Sequence, residues 1–200
     1  MRKGDATRLR IIQQAAPIFN QRGYVGCSMH DLMDATGLEK GGIYRHFANK
    51  EELAAEAFRF ALAQNVKLRT VHLKDIPGAV DKLSRAIQLF VETPSALPGG
   101  CPLMNTAIDA DDGNPALRKL ALQGIQAWRA RLTRIVQAGI RSGEIRSDTI
   151  PRRIANTIIA TLEGALMISR LERTRNPLRD AQSSLEILLQ SLRTQPATRN

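Results

Sequence analysis

The chain has 200 residues, 43% hydrophobic and 24% charged, which is enough for a proper core in one large domain or two smaller ones. Aromatic residues are scarce (five Phe, two Tyr, one Trp) and no alternating β-branched run occurs, so sheets are disfavoured and an all-α fold is expected. The formal charge of +10 draws polyanions, nucleic acid first among them. Two cysteines, with no apolar leader segment, suit a reducing cytoplasm with free thiols better than a disulfide scaffold.

The charge is spread along the chain. Residues 1–70 carry 11 Lys and Arg against 7 Asp and Glu, and the remainder carries 18 against 12. Locally, Arg2, Lys3, Arg8 and Arg10 against Asp5 resemble a short basic arm. From about Asp5 to Arg22, Leu9, Ile12, Ala16 and Phe19 recur at helical spacing, with Pro17 as an irregularity and Gly23 as the stop. In "CSMHDLMDATG", Ser28 and Asp31 form a capping-box pattern, flanked by Cys27 and Leu32 as a hydrophobic staple. The spacing predicts a helix of about eight residues ending at Gly37. A further helix carries Ile43, Tyr44 and Phe47, and Asn49 with Glu52 caps a long one from Lys50 to about Thr70.

Beyond residue 75, prolines punctuate the chain. Helices are expected from Pro77 to about Glu92, from Pro102 over "PLMNTAIDA", and from Asn114-Pro115 to about Arg141. Two more begin at Pro151 and near Pro177, and the tail from Thr194 is polar. That makes nine helices. The longest apolar stretch, 154–168, is interrupted by Glu163 and reads as too short to span a bilayer. The last two helices are rich in Leu and Ile over wide faces, which suits a dimer interface built from two helices per subunit.

Two short helices joined by a tight glycine-containing turn form a helix-turn-helix. The segment "SMHDLMDATGLEKGGIYRHFANKEEL" resembles the DNA-binding signature of the TetR (tetracycline-repressor) family of bacterial transcription regulators. Ser28, Leu32, Gly37, Leu38, Lys40, Gly41, Ile43, Tyr44, His46, Phe47, Lys50, Glu51 and Leu53 agree in order and spacing. Thr36 and Glu39 depart from the pattern, the first where small apolar residues are usual, the second where Ser is common. The expected role for Glu39 is to cap the third helix.

The resemblance implies a homodimer with its third helix in the major groove. It also implies a domain division of 1–50 for DNA binding, 50–70 as a connecting helix, and 71–200 for effector binding and dimerisation. Lys40 can reach guanine O6 and N7, whereas Arg45 suits a phosphate or a base. The family pattern sets Tyr44 and His46 against phosphates, and Ser28 and Lys50 at helix starts can hold two more. His30, early in the second helix, completes the set of candidate contacts. Gly41 and Gly42 bring the backbone of the third helix close to the groove, and Ile43 and Phe47 belong to the core.

In the family's usual mechanism, an effector in the C-terminal domain moves helix 4 and so changes the separation of the reading heads. Candidate pocket residues are Phe90, Cys101, Met104, Asn105, Trp128, Glu163 and Met167, with Leu166 and His72 nearby in type. Cys101, just before a helix start, is also a candidate oxidant or electrophile sensor. Neither cofactor nor metal is implied. Two rival classes stay open at this point. One is a ligand-independent DNA-organising protein; the other is a small helical enzyme using a His72/Cys101 pair, although no HExxH, GxSxG or GxxxxGK motif is present.

Overall fold

A computed structural model describes residues 3–194, so Arg2 of the basic arm and the tail beyond Thr194 lie outside the described residues. Nine α-helices account for the described chain. They are α1 (Lys3–Gly26), α2 (Met29–Thr36), α3 (Lys40–Tyr44), α4 (Lys50–Arg69), α5 (Ala79–Glu92), α6 (Pro102–Ala110), α7 (Pro115–Arg141), α8 (Pro151–Glu172) and α9 (Asn176–Ser191). No strand occurs among the described residues. One isolated antiparallel bridge joins Ile145 and Arg193, and Thr194 beside it donates from its backbone to the Glu144 carbonyl. The punctuation read from the sequence sets most boundaries. Asn114 Oδ1 accepts from Leu117 N at 2.9 Å, and Pro102, Pro115 and Pro151 each open their helix. A single turn of 3-10 helix at Leu73–Asp75, entered through His72 in the left-handed region, was not foreseen.

The described chain forms two compact units. The first comprises Met1–Lys67 with Ser95–Ile125, and the second Leu68–Pro94 with Gln126–Asn200. Helices α4 and α7 therefore each contribute to both units. Within the first unit, α6 packs on α1, and Leu117 near the start of α7 clusters with Ala54 and Ala110.

In the first unit, α1 packs on α2 and on α6. Its core is a cluster of Ile11, Ile12, Ala15, Cys27, Leu32, Ile43, Phe47 and Leu53. The buried stripe of α1 runs through Ile11, Ile12, Ala15 and Ala16, while Leu9, expected on that face, is 37% exposed. Two unforeseen polar ties hold α1 to the segment around α6. Asn20 Nδ2 donates to the carbonyls of Pro98 (2.7 Å) and Gly100 (3.2 Å), and Asn105 Nδ2 donates to the carbonyls of Asn20 and Gly99, both at 2.9 Å. Further along, Tyr24 N donates to Asp109 Oδ2 at 2.6 Å. The helical path breaks at Gly23, with φ 73°, where an added Cβ would sit 2.5 Å from Asp109 Oδ1. The left-handed backbone angle favours glycine there, and any side chain would also have to displace the Asp109 carboxylate.

In the second unit, α8 and α9 pack on each other and both pack on α5. Ile154, Ile158, Leu162, Leu185 and Leu189 are buried, with Leu83 and Ile87 facing them from α5. The apolar stretch that looked too short for a membrane belongs to a longer helix. By length and composition alone, the 22-residue α8 is long and apolar enough to cross a bilayer, a test that the core helix of a globular protein also passes, and many of its apolar residues are buried inside this unit.

Candidate nucleic-acid interface

The interface is built from the N-terminus of α2, the turn after it and α3. Ser28 caps α2 reciprocally: its Oγ accepts from Asp31 N at 3.1 Å, and Ser28 N donates to Asp31 Oδ2 at 2.8 Å. These bonds hold the Asp31 carboxyl down to about 2. The Ser28 backbone N–H contributes most, the Ser28 hydroxyl next, and the paired Arg22 guanidinium adds to them. A depressed carboxyl strengthens folding only while it is ionised. The box should therefore contribute above about pH 4 and fade as pH falls toward about 2. Ser28→Ala is expected to cost about 1 kcal/mol of stability in urea unfolding at neutral pH, and a loss below a few tenths would show the cap to be idle.

Gly37 closes α2 in the left-handed conformation (φ 63°), its N–H donating to Met33 O at 2.8 Å. Thr36, the departure from the family pattern, is 5% exposed and donates its hydroxyl to Leu32 O at 2.7 Å. The hydroxyl is satisfied inside the helix, so Thr serves where a small apolar residue is usual.

Helix α3 is short, and its anchoring comes from packing. Ile43 is fully buried and Phe47 is 2% exposed in the core shared with α1 and α2, as the sequence predicts. Arg8 of α1 lies 4.7 Å over the Phe47 ring and pairs with Glu52 (3.2 Å) and Glu56 (3.6 Å), joining α1 to α4. One expectation is overturned. Glu39 precedes α3 but makes no side-chain cap. Its backbone carbonyl alone serves the helix start, accepting from Gly42 N at 2.8 Å and Ile43 N at 3.2 Å, and its carboxylate stays exposed.

Ser28, His30, Lys40, Gly41, Tyr44 and Arg45 are exposed, and Gly42, His46 and Lys50 are half-buried. Lys40 Nζ hovers 6.0 Å from the Tyr44 ring, and His30 pairs with Asp34 at 3.4 Å on the outer side of α2. Lys50 is the most committed of the cations: Nζ donates to Tyr24 O at 2.5 Å and rests 4.5 Å over the Tyr24 ring. This leaves fewer of its donors for a phosphate than the sequence suggests. At Gly41 an added Cβ meets nothing within 4 Å, and at Gly42 only Leu38 Cβ at an ordinary 3.5 Å. The protein's own packing thus demands glycine at neither position.

The effector candidates divide between the units. In the second, Phe90 is buried and stacked on Trp128 at 5.6 Å, with the Arg69 guanidinium 3.9 Å over its ring. Glu163 and Leu166 are half-buried on α8, whereas Met167 is 46% exposed and points out of this unit. In the first unit, Cys101 is 3% exposed at the start of α6, Met104 is half-buried, and Asn105 is engaged with Asn20 and Gly99. The cavity beside Asn105 has about 30 Å³, room for one water. His72 is exposed and pairs with Asp75 at 3.3 Å, which with a buried Cys101 gives no support to a nucleophile pair. Arg69 and Asn20 were missed from the sequence, and Arg8, read there as part of a basic arm, instead pairs with α4. No local pattern marks them, since each acquires its role from residues far along the chain.

A capped helix, a glycine turn and a short second helix pinned by two buried side chains, with cations and a tyrosine facing solvent, define a helix-turn-helix DNA-binding protein. Comparison with known proteins agrees. Residues 11–57 match the family "Bacterial regulatory proteins, tetR family", and residues 79–185 match "Tetracyclin repressor-like, C-terminal domain". A TetR transcriptional regulator from Chloroflexus aurantiacus J-10-FL superposes with a TM-score of 0.91 at 44% identity, over 96% of this chain and 98% of that one. The HTH-type transcriptional repressor DhaR of Mycobacterium sp. (strain GP1) is 27% identical over 174 residues, 86% of either chain. The fold is also that of the TetR-family regulator CifR, solved as a cysteine mutant with 26-bp double-strand operator DNA. That match has a TM-score of 0.76 at 24% identity, over 91% and 94% of the two chains. The chain belongs to the TetR family of transcription regulators.

Proposed function

We propose that this chain is a one-component bacterial repressor that works in the cytoplasm and binds a palindromic operator as a homodimer. Release follows when a small molecule binds in the C-terminal part. The observation that carries the reading is the exposed Lys40, Tyr44 and Arg45 on a helix immobilised by Ile43 and Phe47. A rigid mount lets few side chains read base edges, with Lys40 on guanine and Arg45 on a phosphate or a neighbouring base. Ser28, Tyr44 and His46 are the proposed phosphate contacts, with His30 and Lys50 as lesser ones. The repressor role is supported by the name of DhaR, and operator binding by the operator complex of CifR.

Dimerisation through α8 and α9 is supported by the apolar residues these helices leave exposed. Ile168 is 41% exposed, Leu171 78% and Ile187 73%. A two-fold pair of reading heads then matches half-sites about one helical turn apart. Effector release is proposed to act through α4, which runs unbroken from the reading head into the second unit. The Phe90–Trp128 stack is the favoured wall for that effector. Burial of Cys101 favours a small molecule over a thiol reaction as the trigger.

The test is a footprint on the DNA flanking the protein's own gene, compared with the variant Leu171→Glu/Ile187→Glu. A two-fold symmetric footprint is expected, weakening with salt by about 0.9 in log K per phosphate contact for each unit of log salt. The variant should sediment as a monomer and lose the footprint. Uniform coating of any duplex would overturn the reading.

A further inference from the structure

The second unit holds a cleft of about 390 Å³ between the start of α5 and the last turns of α7. That size lies within the range of small-ligand sites. Arg131, Arg134, Ile135 and Ala138 recur along one face of α7 and line the cleft together with Lys82 of α5. Three cations thus share one concavity. Among the described residues, no ion pair joins any of the three to a carboxylate within 4.0 Å.

The arrangement is costly without a counter-charge. Arg131 is half-buried, and its guanidinium is held below the usual arginine value by burial first and by the adjacent Arg134 second. The acid lining the cleft, Glu144, does not relieve it. Its carboxylate accepts from Ala79 N at 2.6 Å and Val80 N at 2.9 Å and lies 3.4 Å from Arg193, so its charge is already compensated. Two planar guanidinium forks and an ammonium match the oxygens of a phosphate or carboxylate, and Ile135 with Ala138 offers an apolar wall to the rest of the molecule.

We propose that this cleft is an anion-binding site for a small amphiphile with a phosphate or carboxylate head and a short apolar body. It is separate from the Phe90–Trp128 stack, since neither ring lines it, and it stands whether or not an effector controls DNA binding.

Calorimetric titration of the full chain with hexyl phosphate, hexanoate and hexyltrimethylammonium in a phosphate-free buffer tests it. Saturable binding of hexyl phosphate or hexanoate, one per chain, is expected, and the stronger of the two identifies the head group. Arg131→Gln/Arg134→Gln should weaken that binding about tenfold or more without lowering the ligand-free melting temperature, because two charge-assisted contacts are lost while the mutual repulsion of the cations is relieved. Arg131→Lys/Arg134→Lys should retain a measurable part of it, which a merely misfolded cleft would not. The proposal is overturned if neither anion binds saturably, if the ammonium binds as well as the anions, or if the glutamine variant binds unchanged. If neither anion binds and that variant also weakens duplex DNA binding, the cleft belongs instead to the DNA-contacting surface.

Discussion

Phe47→Ala is expected to lower the unfolding free energy by about 3–5 kcal/mol, the usual cost of emptying a buried aromatic site. The ring is 2% exposed and packs in one cluster with Ile11, Leu32, Ile43 and Leu53. Its loss would also remove the surface on which Arg8 rests, loosening the pair of contacts from Arg8 to Glu52 and Glu56. Helix α3 has only five residues and cannot hold its shape by propensity, so reading of DNA should fail together with stability. Urea unfolding followed by circular dichroism measures the first effect and operator titration the second. Phe47→Leu, which keeps most of the volume, should recover both in large part. A loss below about 1 kcal/mol in the alanine variant would mean that the reading head is anchored elsewhere.

The second large effect concerns specificity. Gly42→Thr should fold normally, because a Cβ at that position meets only Leu38 at 3.5 Å, yet it should change which operator is preferred. On the proposed docking, glycine at the start of α3 would let the backbone approach base edges, and a threonine there would add a methyl and a hydroxyl facing the groove. Each base pair read or misread changes affinity by about 1–3 kcal/mol, so half-site preference should shift by roughly 5- to 150-fold. A binding-site selection reads this directly. An unchanged consensus with unchanged affinity would show that Gly42 lies away from the bases, and a lowered melting temperature would show that the space at Gly42 is needed by the fold itself.

The two glycines illustrate what geometry adds to a sequence pattern. In the letters they look like a fault in a short helix. In the structure, neither is required by packing or by backbone angle, which is consistent with the proposed close approach to the groove. Glu39 shows the opposite. An acid before a helix start reads as a cap, but the side chain takes no part in the turn.

Helix boundaries were legible because their signals are local. Ser28 with Asp31, Asn114 with Leu117, and the prolines opening α6, α7 and α8 act within one turn of the chain. Apolar spacing in the same way marked Ile43 and Phe47 as core. Partner choice across the fold was not legible. The Arg8 contact to Glu52 joins residues 44 apart, Lys50 to Tyr24 spans 26, and Asn105 to Asn20 spans 85. Each removes a side chain from the list of free contacts or pocket walls that its residue type had suggested. Met167 likewise looked like pocket wall by type and is exposed on α8, and the basic cleft exists only because α5 and α7 bring Lys82 beside Arg131 and Arg134. The sequence by itself determined the helices and the buried anchors of α3, since caps and periodicity act over three or four residues. Only the tertiary structure decided which cations remain available, because burial and pairing depend on contacts between residues far apart in the chain.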